Sequence, residues 1–222
     1  MTFFFHSVAL LARFTHNPKK VHYTGLKHIL RYLKGTKDYG LYFKANVKDN
    51  DIRCYNSELK GYCDASFADV ITDKRKSSMG YVITFNGTAI SWKATKSTIV
   101  VTSTAESEYI AMCLLTKQIM YLRNMRIELG HQDDKEAIQA YSDNQSALKF
   151  SKNQINKSGM KHIDLKYYFT KEAIERKLIT FDYLASEEMI ADIFTKVLDE
   201  QTFVKHRRML GLVQLPSNTP SE

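Results

Sequence analysis

Cysteine is scarce and carries no pattern. Cys54, Cys63 and Cys113 make an odd set without Cys-x-x-Cys spacing, which excludes both a disulfide framework and a cysteine-based zinc site. Proline and glycine are few, three and nine in 222 residues, so long flexible linkers and collagen-like or mucin-like stretches are excluded as well. No apolar run is long enough to span a bilayer. The opening Phe3-Phe4-Phe5…Val8-Ala9-Leu10-Leu11-Ala12 is broken by His6 and Ser7 and lacks a basic leader and a clear cleavage site. It reads as a packed helix, with a secretory signal the less favoured alternative. No membrane partner is expected, and the reduced cysteines point to a cytoplasmic, intracellular setting.

What is present suffices for a core: 44% of the residues are hydrophobic and an ordinary 25% are charged. The length suits one domain with an appendage. The net charge of +8 is uneven, because residues 1–58 hold ten Lys/Arg against four Asp/Glu, while the rest is nearly balanced. A polyanion partner would explain that bias, as would an ordinary solvated basic face.

Residues 18–34 carry helix signals, with Asn17 as N-cap, Pro18 at the first position and Gly35 as the stop. Val21, Leu26, Ile29, Leu30 and Leu33 supply the apolar stripe. Lys20, Lys27, Arg31 and Lys34 share the opposite face, where they could track a phosphate backbone. Strand-like runs follow at Tyr39–Phe43, Leu59–Asp64, Gly80–Phe85 and Ala89–Lys93, the last two joined by the hairpin dipeptide Asn86-Gly87. A Lys48–Asp51 turn lies between the first two. A long helix over Ser103–Leu129 opens on a candidate capping box, Ser103 with Glu106. Beyond it come a strand at Ala137–Ser142, helices from Asn144 and over His162–Arg176, a strand at Leu178–Leu184 and a helix at Glu187–Val197. This order describes an α/β mixed sheet flanked by helices.

Four acids fall at informative places in that outline. Asp64 closes a strand, where a lone Asp is usually a turn former. Glu108 shares a helical face with Met112, Leu115, Ile119 and Leu122, where a carboxylate is costly unless paired or bound to a cation. Asp143 ends a strand just before a helix and could be an N-cap. Asp192 stands mid-helix, where a solvent-facing Asp is the plain alternative. Gathered together, the four would repel one another and stay partly protonated unless cations neutralised them.

The surrounding motifs resemble the C-terminal part of the Pol polyprotein of copia-type LTR retrotransposons. Arg75-Lys76-Ser77-Ser78-Met79-Gly80-Tyr81 is similar to that family's Arg-Lys-Ser-Thr-Ser-Gly-Tyr. Ile90–Lys93, Ser103–Ala111, Ser142–Ala147, Lys161–Asp164 and Ala191–Lys196 follow in order and at similar spacing. The resemblance implies a ribonuclease H-like five-stranded mixed sheet flanked by helices over residues 58–198. It also implies a small N-terminal α+β appendage from the end of the reverse transcriptase over 1–57, and a C-terminal helix with a frayed tail over 199–222. It implies cleavage of the RNA strand of an RNA–DNA hybrid, with Asp64, Glu108, Asp143 and Asp192 holding two Mg²⁺ ions, or Mn²⁺ in their place. Substrate contacts are expected at Ser66, Asn144, Gln145, Lys161 and His162. The reverse transcriptase polymerase of the same polyprotein is the implied partner.

Several departures from the family pattern stand out. Ser66 replaces a second Asp, Phe67 a Trp, Gly159-Met160 an Arg-Thr pair, and Met189 a polar residue. A catalytically decayed domain that only binds nucleic acid or tethers a polymerase is therefore the rival expectation.

Overall fold

The computed structural model describes residues 5–43, 58–67, 77–97, 101, 103–130, 136–152 and 161–215, with the side chains of Phe5, Lys152 and 161–166 excepted. The chain opens with helices α1 (Phe5–Ala12) and α2 (Lys20–Gly35) and the short strand β1 (Tyr39–Leu41). Helix α2 starts two residues later than its Asn17-Pro18 signal suggests. Lys19 serves as N-cap, its amide donating to His22 Nδ1. The basic row Lys20, Lys27, Arg31 and Lys34 is exposed as expected. The apolar stripe is not buried in return: Val21, Leu26 and Leu30 are largely exposed, and no residue of α2 is fully buried.

Strand β2 (Leu59–Ser66) organises the rest through its alternation. Leu59, Cys63 and Ala65 face one layer, whereas Tyr62 and Asp64 face the other. It runs antiparallel to β3 (Ser78–Phe85), which turns through Asn86 and Gly87 into β4 (Thr88–Lys96). Both turn residues have positive φ, 50° and 79°, as a two-residue hairpin of this kind requires. Helix α3 (Thr104–Glu128) then crosses to β5 (Ile138–Ser142), which pairs parallel to β2. Ser103 caps α3 by accepting from the Glu106 amide. Helices α4 (Gln145–Lys152) and α5 (Lys161–Glu175) lead to β6 (Ile179–Tyr183), parallel to β5. The sheet order is β4-β3-β2-β5-β6, an α/β mixed sheet of five strands.

Helices α3, α4 and α5 cover one face over a core that includes Ile83, Tyr109, Met112, Leu115, Ile119 and Phe181. The other face is covered by the segment after β6. The helix expected over Glu187–Val197 is replaced there by two 3₁₀ turns, Ser186–Glu188 and Ile190–Phe194. Ile190, Ala191, Ile193 and Phe194 are all buried, so the segment has no polar face for a 3.6-residue period to place outward. The amides of Thr195 and Lys196 both donate to the Asp192 carbonyl, at 3.0 and 2.9 Å, closing the turn tightly.

Helix α6 (Glu200–Met209) and strand β7 (Leu212–Gln214) complete this layer, and β7 pairs antiparallel with β1. The C-terminal segment thereby holds the N-terminal one. Buried Arg207 of α6 reinforces the join, donating to the Tyr32 and Tyr39 hydroxyls at 3.2 and 3.4 Å and lying over the Tyr39 ring. The turn at Lys48–Asp51 and the tail Pro216–Glu222 lie outside the described residues.

Gly80 fixes how closely the 3₁₀ segment approaches the sheet. It is the register partner of Asp64, and a Cβ there would stand 2.8 Å from Phe194 Cβ and 2.9 Å from Thr195 Cγ2. Gly80→Ala is expected to destabilise the fold by about 1–3 kcal/mol through overpacking. It should also weaken divalent-cation binding by displacing Asp192. Thermal unfolding with and without Mg²⁺ measures both effects.

Candidate metal centre

Asp64 is fully buried and emerges from β2 on the face opposite Cys63. Its Oδ2 accepts a hydrogen bond from the Thr195 hydroxyl, and its Oδ1 lies 3.0 Å from Lys196 Nζ. The Asp192 carboxylate is brought alongside by the 3₁₀ turn, with Oδ1 also 3.0 Å from Lys196 Nζ. Asp143 joins from the end of β5, its Oδ2 3.9 Å from the same ammonium and 2.7 Å from the Ser186 hydroxyl that donates to it. One oxygen each from Asp64, Asp143 and Asp192 lies within 4.8 Å of the others, and this is the group among the described residues with metal-ligand geometry.

The N-cap role that Asp143 could have filled belongs to its neighbour. Asn144 Oδ1 accepts from the Ala147 amide at 2.9 Å, leaving the Asp143 carboxylate free to face the cluster. Asp192 is not solvent-facing either, being only 6% exposed.

Glu108 comes from the opposite layer, on α3. It is 3% exposed and falls outside the 4.8 Å group, so the structure gathers three acids tightly and sets the fourth to one side. A backbone hydrogen bond at Ala65 offsets part of its burial, but its Oε2 is buried without any partner. Burial first, and then the charges of Asp64 and Asp143, push the Glu108 carboxyl up to about 9. Burial and Asp64 raise Asp192 to about 7, against the opposing pull of Lys196. Burial raises Asp64 too, while Lys196 and Thr195 pull it back. For Lys196, burial opposes the charge, but Asp64 and Asp192 outweigh it and the net shift is upward.

The donor set fits a hard divalent cation. Its ligands are oxygens, anionic and mostly buried, and the orphaned Glu108 Oε2 marks a place where positive charge is missing. Lys196 was absent from the sequence-based site, although it stands in the Ala191–Lys196 motif. In a regular helix a lysine four residues after an aspartate reads as a surface ion pair. Only the 3₁₀ geometry carries its ammonium in among three carboxylates.

The other expected contacts are more dispersed. Ser66 is half-buried at the end of β2, paired in register with Ser78; Asn144 is half-buried and Gln145 exposed at the start of α4. Lys161 and His162 open α5, but their side chains lie outside the described residues. Between β6 and Asp192, the segment Ala185–Ala191 contains no histidine. Buried His206 of α6 backs it instead, its Nε2 3.3 Å from the Glu187 carbonyl.

Comparison with known proteins adds a lineage to this geometry. The chain is 37% identical over 211 residues to the retrovirus-related Pol polyprotein from transposon TNT 1-94 of Nicotiana tabacum, covering 93% of this chain and 15% of that protein. It is 30% identical over 211 residues to the corresponding polyprotein from transposon RE2 of Arabidopsis thaliana, covering 95% of this chain and 14% of the relative. This chain belongs to the retrovirus-related Pol polyproteins of transposons. It spans about one seventh of the length of those relatives. A shorter match, 34% identical over 116 residues, links 52% of the chain to 75% of the secreted RxLR effector protein 161 of Plasmopara viticola. No protein-family model matches. Among solved structures, the N-terminal RNase H domain of rv2228c from Mycobacterium tuberculosis aligns with a TM-score of 0.43 at 11% identity, over 68% of this chain and 97% of that one. LC11-RNase H1, solved with an RNA/DNA hybrid, aligns at 0.43 and 14%, over 62% and 94%. No described helix of this family member is long and apolar enough to cross a membrane.

Two predictions follow from the charges. Glu108 and Asp192 hold protons in the fold that an unfolded chain, with ordinary carboxyl values, has released by neutral pH. The native state therefore binds more protons, and its stability in chelator falls as pH rises, through about 7 for Asp192 and toward about 9 for Glu108. Tm in EDTA should drop between mildly acidic and alkaline pH, Mg²⁺ should flatten the drop, and Glu108→Gln should remove part of it. Lys196 competes with a divalent ion for the same oxygens. Lys196→Met should lower Tm in EDTA, while the gain in Tm on adding Mg²⁺ becomes larger than in the wild type.

Proposed function

We propose that this chain is the ribonuclease H module of a retrotransposon Pol polyprotein, hydrolysing the RNA strand of RNA–DNA hybrids. The single observation that carries the reading is the convergence of Asp64, Asp143 and Asp192 within 4.8 Å, with buried, unpartnered Glu108 beside them. The family relationship of nearly the whole chain supports it, as does the five-stranded mixed sheet, the architecture the motifs imply.

Asp64, Asp143 and Asp192 would hold Mg²⁺ or Mn²⁺, with Glu108 completing a second position on the α3 side. Bound there, the two ions would supply an acidified water and a stabilised leaving oxygen. The protein groups do the positioning. Thr195 and Ser186 orient the Asp64 and Asp143 carboxylates by donating to them. Lys196 holds the acids together and, with a cation bound, would offer its ammonium at the edge of the site to a substrate phosphate. Ser66, Asn144 and Gln145 ring the strand ends nearest the cluster and are assigned to backbone contacts, with Lys161 and His162 on α5 and the exposed row of α2 farther along the duplex. Residues 1–57 belong in this reading to the end of the reverse transcriptase, 58–198 to the ribonuclease H unit and 199–222 to its closing helix and tail. The polymerase of the same polyprotein is the partner.

One observation favours a second reading, a decayed domain that binds without cutting. The ammonium of Lys196 already satisfies much of the acids' charge, so the fold does not need a cation to stand. A cleavage assay separates the two. With Mg²⁺ the wild type should cut an internally labelled RNA–DNA hybrid and leave a DNA duplex intact, and Asp64→Asn should lose about 100-fold or more of that activity. Binding of hybrid without cleavage at any Mg²⁺ or Mn²⁺ concentration would establish the second reading.

A further inference from the structure

A groove of about 420 Å³ runs between α1 and the β3–β4 edge of the sheet, on the face that carries the acid cluster. His6, Arg13, Ser78, Thr95, Lys96 and Phe194 line it, and no carboxylate does among its lining residues. Arg13 is its unusual member. Nε and Nη1 of its guanidinium are buried and have no hydrogen-bond partner. A guanidinium cannot shed its charge near neutral pH, and leaving two of its donors dry and unmet is unfavourable. Among the described residues, Lys196 meets three carboxylates, and Arg207 meets two hydroxyls and a ring although its Nε is unmet. Arg13 has neither kind of partner at Nε and Nη1, and an oxyanion in the groove would meet both of these donors.

The groove lies close to the acid cluster. Ser78 pairs with Ser66, two residues beyond Asp64 on the neighbouring strand, so the offset is roughly 8 Å from strand spacing and rise. That is on the order of one backbone step along a strand, since successive phosphates lie farther apart through space than their rise of about 3.4 Å along the axis. Phe194 lines the groove, and the next residue, Thr195, donates to Asp64. A duplex presenting one phosphate to the acids therefore has a neighbouring one near Ser78, in the groove that Arg13 also lines.

We propose that this groove is a binding site for a backbone phosphodiester, with Arg13 as its anchor. It seats a phosphate near the one being cut and so sets the register of the duplex on the acid cluster. The inference rests on the nucleic-acid half of the proposed function and is independent of cleavage.

The test is binding of a short fluorescein-labelled RNA–DNA hybrid to the full chain in EDTA, read by anisotropy between about 50 and 200 mM salt. Arg13→Gln should bind roughly 10-fold more weakly, with a log–log salt slope shallower by about one, and Arg13→Lys should recover most of the loss. The Tm of Arg13→Gln without ligand should equal or exceed that of the wild type, because an unpaired buried charge has been removed. Unchanged affinity and slope in a folded Arg13→Gln overturn the proposal. Should that variant fail to fold, Thr95→Glu, which brings a like charge to the phosphate into the groove, is read instead, and undiminished binding by it overturns the proposal equally. Displacement of the hybrid by poly-glutamate at concentrations no higher than those of unlabelled DNA would reassign the groove to an acidic peptide and also overturn it. A wild type that binds hybrid but never cleaves it defeats the nuclease reading while leaving these outcomes intact.

Discussion

Repulsion among buried carboxylates, held in check by one ammonium, is the constraint around which the remaining structure is arranged. Asp64 sits without solvent access at the centre of the sheet, and Asp143 and Asp192 are brought to it from two other elements. Three such groups in a dry place would raise one another's proton affinity and push the elements apart. Lys196 contacts all three at 3.0 to 3.9 Å and keeps them together. Its reach depends on the 3₁₀ turn, the turn depends on the gap that Gly80 leaves beside Phe194, and Gly80 is the register partner of Asp64 itself. The chain of dependence closes on one strand pair.

That arrangement also explains the asymmetry of the fourth acid. Glu108 approaches from the α3 layer and so cannot share the ammonium as the other three do. It carries the largest upward shift given a value among the carboxyls, and one of its oxygens is left without a partner. Burying a carboxyl this way works against stability, and a neutral or apolar residue at that position of α3 would pack with less penalty. A group whose presence weakens the fold is accounted for more readily by chemistry than by architecture.

Much of this was legible in the amino-acid order, and the limits of legibility have physical causes. Glu108 could be found because a carboxylate on the apolar face of α3 breaks a local rule; Asp64, Asp143 and Asp192 each fitted an ordinary local role, and the order of the four motifs is what singled them out. The hairpin was legible because Asn86-Gly87 adopts backbone angles that few other pairs tolerate. Lys196 was not legible, because its role depends on a turn tighter than an α-helix, and nothing in Ile190–Phe194 distinguishes the two periods when nearly every side chain is buried. The β1–β7 pairing was hidden for a different reason. Each strand has three residues, too short for alternation to register, and the partners lie at opposite ends of the chain. Arg207, which fastens that join, was hidden too, because its partners Tyr32 and Tyr39 lie near the other end of the chain.

The same reasoning bears on whether the site retains its chemistry. Had the domain been kept only as a duplex-binding tether, the basic surface would matter and the acids would not. The acids would then be pure cost: they repel the phosphates that the lysines attract, and they weaken the fold at neutral pH. Relief would be simple, since replacing Glu108 by glutamine or Asp192 by asparagine preserves shape and removes charge. Instead the chain carries all four acids, supports two of them with the Thr195 and Ser186 hydroxyls, and supplies one exchangeable cation between three of them. A binding-only domain has no use for so specific a balance of negative charge in a molecule whose net charge is +8. The proposed nuclease does, because its acids would recruit the metal while the surrounding positive charge would recruit the duplex.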